Sequence, residues 1–161
     1  MPINRLKQFL DEHNIKYVVI SHSVAYTAQG IAALAHIPGK ELAKTVIVKC
    51  DGLFAMAVVP ASRQVDLTLL QAAAHANSVE LAPEMEFKNK FPDCETGAMP
   101  PFGNLYEMPV FADAALAKDE EIAFNAGSHR ELVRLAWADF EKLVHPVVVP
   151  LALIGVRQSA A

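Results

Sequence analysis

Lys44 stands at the head of KTVIVK, with ELA before it and TVIV after it. A lysine at a strand start has two readings. Its stem can snorkel over the core with the amine in water, or the amine can sit at a cleft rim as a compact charge for a phosphate or carbonyl oxygen. Gly97 and Gly103 bracket AMPPF. Two prolines fix φ and remove two N–H donors, while glycines permit positive φ and close approach. Such a loop can orient an ester carbonyl or exclude one size of side chain, or it can be a structural turn. In FNAGSHRE, Gly127, Ser128 and His129 fall between two strand-like runs. His129 has the pKa range of a general base, although a loop histidine is commonly just solvated. Cys94, beside Glu95, invites a nucleophile reading but has no identifiable histidine partner, so a structural thiol is the simpler expectation. His22, in SHS, is open in the same way.

Totals narrow the classes. At 161 residues one domain with a substantial core is expected, spanning 1–161 with residues 146–161 as a C-terminal extension. The chain is 53% hydrophobic and 20% charged, which fits a globular protein. Its net charge of −4 means that any contact with nucleic-acid phosphates must come from a local patch. Lys40, Lys44, Lys49 and Arg63 are the candidates for one. Two cysteines without CxxC spacing and six histidines without zinc-like pairing give no reason to expect a metal or other cofactor. The N-terminus MPINRLKQFL is not a signal peptide, and no run reaches about 18 apolar residues, so no membrane partner is expected. A cytoplasmic protein is the default.

The elements that must position these residues follow from periodicity. Ile3, Leu6, Phe9 and Leu10 predict an amphipathic helix ending near Asn14. KYVVIS predicts a strand. TAQGIAALAHI, from Thr27 to the Pro38-Gly39 pair, predicts a second helix. AKTVIVKC and LFAMAVVP flank Asp51-Gly52, a hairpin signal. Asp66 caps a helix over LTLLQAAAHA, and APEMEFKNKF predicts a short fourth one. LYEMPVF and EEIAFNAG read as strands, with Pro109 at an edge or bulge. ELVRLAWADF reads as a strand before a last turn of helix, ADFEKLV. The tail VVVPLALI reads either as an added strand or as a partner surface. Hairpins mixed with helices predict an α+β fold with a mixed, largely antiparallel sheet flanked by helices.

Three blocks occur in this order: AKTVIVK with Lys44, DCETGAMPPFGN with Gly97, Pro101, Phe102 and Gly103, and FNAGSHRELVRL with Gly127. Together they resemble the YbaK/prolyl-tRNA synthetase-associated domain family over roughly residues 3–145. HIPGKELAKTVIV, VPASRQVDL and FPDCETGAMPPFG are similar to its free-standing branch. The resemblance implies hydrolysis, in trans, of a mischarged aminoacyl-tRNA bound through its 3′ acceptor end, with an aminoacyl-tRNA synthetase as a further partner. It implies that Lys44 is the indispensable side chain, binding the terminal phosphate or positioning the ester. It also implies that Gly97–Pro101 is the family's GxxxP loop, that a ribose hydroxyl helps activate water, and that neither metal nor protein nucleophile takes part. Thr45 follows the lysine where some relatives carry Asn. His129 falls where certain alanine-specific relatives place a histidine near the substrate. Tyr26, Met99 and Phe102 are the expected residues that size the pocket. One methylene discriminates by only about 1–3 kcal/mol, so Ala, Ser, Thr and Cys esters all stay open. A non-catalytic module binding tRNA or a synthetase, and an ester hydrolase using Cys94, are the other two readings.

Overall fold

The computed structural model describes residues 3–21 and 41–153. Helix α1 (Asn4–Glu12) buries Leu6 and Leu10, one turn apart on a single face. Strand β1 (Tyr17–Ser21) follows. The predicted helix over 27–37, with His22, Tyr26 and Lys40, lies outside the described residues.

Strands β2 (Leu42–Cys50) and β3 (Leu53–Pro60) form the hairpin that Asp51-Gly52 predicts. Both turn residues have positive φ, 51° and 84°, as a turn matching strand twist requires. β4 (Gln64–Val65) leads to α2 (Leu67–Ala74), where the Asp66 carboxylate accepts the Thr68 and Leu69 N–H groups at 2.9 and 3.2 Å. β5 (Val79–Leu81) and a single-turn α3 (Glu84–Phe87) come next. Strands β6 (Val110–Asp113), β7 (Glu121–Asn125) and β8 (Glu131–Ala136) precede α4 (Trp137–Val144). The tail supplies β9 (Val147–Val149) and β10 (Ala152–Leu153).

The main sheet runs β1-β8-β7-β2-β3-β6-β9, with β5 also on β2; β10 pairs with β4. It is mixed, as expected: the β2/β7, β3/β6 and β6/β9 pairs are parallel and the others antiparallel. One face carries the larger core, with Leu6, Met56, Phe102, Phe124 and Phe140, and the other a smaller core around Val48, Val59, Leu70 and Leu151.

Two expectations change. LYEMPVF is a strand only from Val110 onward. Before it, Gly103–Leu105 is a 3-10 turn, Glu107 has φ 58°, and the Met108 N–H returns to the Gly103 carbonyl. Leu105, Tyr106 and Met108 are apolar because they meet the core, not because they alternate in a ladder. The tail is the added strand: β9 pairs with β6, and the Leu151 side chain is buried in the smaller core.

Candidate active site

The site begins with a division of the sheet. On its edge away from β3, β2 pairs with β7 only through Leu42 and Ala43 and with β5 only through Val48–Cys50. Lys44–Val46, between them, have no ladder partner on that side among the described residues. Lys44 therefore starts at the point where two strands separate. Its side chain is half-buried and forms no hydrogen bond or ion pair among the described residues. Burial alone pushes its pKa down from the ordinary lysine value, because the charged form is the one that loses solvation. A half-buried amine without a carboxylate costs stability and is a mark of functional sites.

The GxxxP loop spans the same division. On the β7 side, the Gly127 N–H donates to the Ala98 carbonyl at 2.8 Å, and the Glu95 N–H to the Gly127 carbonyl at 2.8 Å. On the β5 side, the Thr96 hydroxyl donates to Glu84, at the start of α3, at 3.3 Å. Extending the β2/β7 register by one residue sets Asn125 beside Lys44 on the same sheet face, about 4.8 Å away at ordinary strand spacing. Gly127 is two residues further on. The loop is thus anchored to Gly127, two residues past the point of β7 that is level with Lys44. The Asn125 Oδ1 is buried with no hydrogen-bond partner among the described residues. The sequence reading missed Asn125; its signal was a polar residue closing an otherwise apolar strand just before a glycine.

His129 latches the loop. Its backbone N–H donates to the Glu95 carboxylate at 2.6 Å, and its Nε2 lies 2.7 Å from the Thr96 carbonyl. A carbonyl only accepts, so Nε2 carries the proton and is occupied in holding Thr96. Gly97 has φ 82°, and a Cβ there would stand 3.5 Å from the His129 ring. Among the described residues, neither the Gly97 nor the Met99 N–H is hydrogen-bonded within the chain.

The remaining expected site residues take supporting places. Strand alternation turns Thr45 toward the larger core, away from Lys44, and its Oγ1 is buried without a partner among the described residues. Met99 is buried in that core, and Phe102 is fully buried against Phe9, Phe124 and Phe140. These two side chains pack the loop onto the molecule instead of lining an open surface. Pro101 is buried beside them. Gly103 and Gly127 are required by packing: a Cβ would collide with the Met108 carbonyl at the first and with Ile3 at the second. Tyr26 lies outside the described residues.

Cys94 is a poor nucleophile. Burial pushes its thiol up to about 11, despite a contact with the Tyr106 hydroxyl at 3.4 Å. Lys49 leaves the expected basic patch as well. It is bound to Glu86 at 2.7 Å and Glu80 at 3.5 Å, at the far end of β2. A cavity of about 550 Å³ near that end is lined by Phe54, Tyr106 and Phe111, and does not include Lys44. Among the described residues no group of His, Cys, Asp and Glu is placed to hold a metal ion, and no helix is long and apolar enough to cross a membrane.

Comparison with known proteins gives the class, a hydrolase of aminoacyl-tRNA esters. The aminoacyl-tRNA editing domain family matches residues 22–143, and the chain belongs to it. Over 150 residues it is 27% identical to the multifunctional Ser/Thr-tRNA deacylase ProXp-y of Escherichia coli K12, covering 90% of this chain and 89% of that one. A solved structure described as a trans-editing enzyme for prolyl-tRNA synthetase superposes with a TM-score of 0.80 at 18% identity, over 92% of this chain and 95% of the other. The hypothetical protein APE2540 gives 0.84 at 17% identity, over 93% and 100%. At those identities the two structures speak to fold alone.

Proposed function

We propose that this protein hydrolyses, in trans, the ester joining a small, wrongly attached amino acid to the 3′-terminal adenosine of tRNA, with Lys44 as the essential side chain. The observation that carries this reading is the half-buried Lys44 at the division of the sheet, with no hydrogen bond or ion pair among the described residues. An aminoacyl ester is already activated, so holding it and stabilising the developing oxyanion supplies most of what is needed. The Lys44 ammonium holds the terminal phosphate or the ester oxygen. The Gly97 and Met99 N–H groups, without a partner among the described residues, offer donors to the carbonyl. Water attacks the carbonyl carbon, the C–O bond to the ribose breaks, and the ribose oxygen takes up a proton. A neighbouring ribose hydroxyl assists the water. Met99, Pro101 and Phe102 act from beneath, keeping the backbone wall still.

Serine and threonine esters are the leading substrates, by likeness to the deacylase of E. coli. A cytoplasmic location and transient association with a synthetase follow, since charged tRNA is made there. The test is a deacylation screen over tRNAs carrying Ala, Ser, Thr and Cys. Faster ester loss with protein than without, greatest for Ser or Thr, is expected. Ester lifetimes unchanged across the panel would leave a non-catalytic binding module in its place.

A further inference from the structure

We propose that the pocket beside Arg63 and Lys118 is a nucleotide subsite, holding the single-stranded 3′ end just before the terminal adenosine. It rests on the reading of Lys44 as the ester-end group and adds a second point of attachment. The cavity measures about 490 Å³ and includes Pro60, Ser62, Arg63, Asp113, Lys118 and Asp119 in its lining. Its position follows from register. Pro60 pairs with Ala43 and Val59 with Lys44. Asp113 is one residue past Ala112, the partner of Val58, so it faces the same side of the sheet as Lys44. Two strand spacings separate them, about 10 Å, a gap that a short stretch of single strand bridges.

The chemistry of the lining fits a nucleotide. Asp113 is only 3% exposed and is fully engaged. Its Oδ1 accepts the Leu151 N–H at 2.8 Å, its Oδ2 accepts the Ala115 N–H at 3.2 Å, and Oδ2 lies 3.7 Å from Arg63 Nη1. A buried carboxylate fixed by two backbone donors sets a negative charge beside the guanidinium. Nη1 of Arg63 approaches it at ion-pair distance, and the guanidinium retains donors for a phosphate. Lys118 is exposed and forms no ion pair among the described residues. Ser62 and Asp119 add a hydroxyl and a carboxylate, which suit ribose hydroxyls and base amino groups. In a chain of net charge −4, phosphate binding has to be concentrated in built sites of this kind.

The test uses a short single-stranded RNA ending in C-C-A, with binding followed by fluorescence anisotropy across a salt series. Lys118→Gln and Arg63→Gln are each expected to weaken binding roughly 5-fold and to lower the slope of log K against log salt by about 0.7, the loss of one single-strand phosphate contact. In deacylation, KM for charged tRNA should rise with little change in kcat, while hydrolysis of an aminoacyl ester of adenosine alone stays at the wild-type rate. Lys118→Gln removes no side-chain hydrogen bond or ion pair among the described residues, so it remains readable if Arg63→Gln unsettles Asp113. Unchanged RNA affinity and slope in Lys118→Gln would overturn the subsite, as would equal slowing of the adenosine ester. A response to inorganic phosphate alone, with RNA binding unaltered, would overturn it too. Loss of RNA binding in the variants of a protein that hydrolyses no charged tRNA would keep the subsite and remove the catalytic reading.

Discussion

Lys44 and Gly97 carry the account at the scale of single residues, and each has a measurable consequence. Lys44 is held charged where burial disfavours charge, so its folded pKa lies below that of the unfolded chain. The unfolded state then binds the proton more tightly, and stability rises with pH only as pH climbs through the window just below the ordinary value of 10.5. At neutral pH the cost is present in full. Lys44→Met should therefore have a Tm at or above that of wild type at pH 7, with the gap narrowing toward alkaline pH. A clear drop in Tm would mean the amine has a stabilising partner. Gly97→Ala places an L side chain at φ 82°, with about 1–2 kcal/mol of strain, in an exposed loop. It should lower kcat/KM severalfold with a fall in the urea midpoint of no more than this strain. Gly103→Ala should do the reverse and cost folded protein, because its Cβ meets a backbone carbonyl. Measuring activity and urea midpoint for both variants separates the two roles.

Among the elements, the tail and the sheet division matter most, and they were unequally legible. Local signals read well: Asp51-Gly52 marked a hairpin and Asp66 a cap, because turn and cap chemistry depend on neighbours in sequence. The parallel pairing of β7 with β2 and of β9 with β6 could not be read that way, since residues far apart in the chain meet there. For the same reason Lys44 could be singled out only by analogy, while its place at the end of the β2/β7 ladder, beside Asn125, had to be seen. LYEMPVF misled because burial without a ladder produces the same apolar composition as a strand. The tail is integral to the fold: the Asp66 N–H donates to the Leu151 carbonyl at 2.7 Å, and the Leu151 side chain is fully buried. Leu151→Ala should cost about 3 kcal/mol, as for other buried leucines, read as a lowered urea midpoint. A midpoint within error of wild type would make the tail an ornament.

At the scale of the molecule, the sheet places its polar groups in one row. Asn125, Lys44 and Asp113 face the same side at the same level, with Val59 between the last two. The loop latched by His129 is tied to Gly127, two residues past Asn125, and the pocket beside Asp113 lies at the other end of the row. Under our proposal, this arrangement lets a protein of negative net charge engage the end of a polyanion without coating it. The central claim is that Lys44 acts on the ester and does not hold the fold. Single-turnover deacylation of Ser- and Thr-charged tRNA by Lys44→Ala, alongside its thermal melt, tests this most directly. The account predicts ester loss at the rate seen without protein, from a variant that melts cooperatively at or above the wild-type temperature; hydrolysis at the wild-type rate would contradict it.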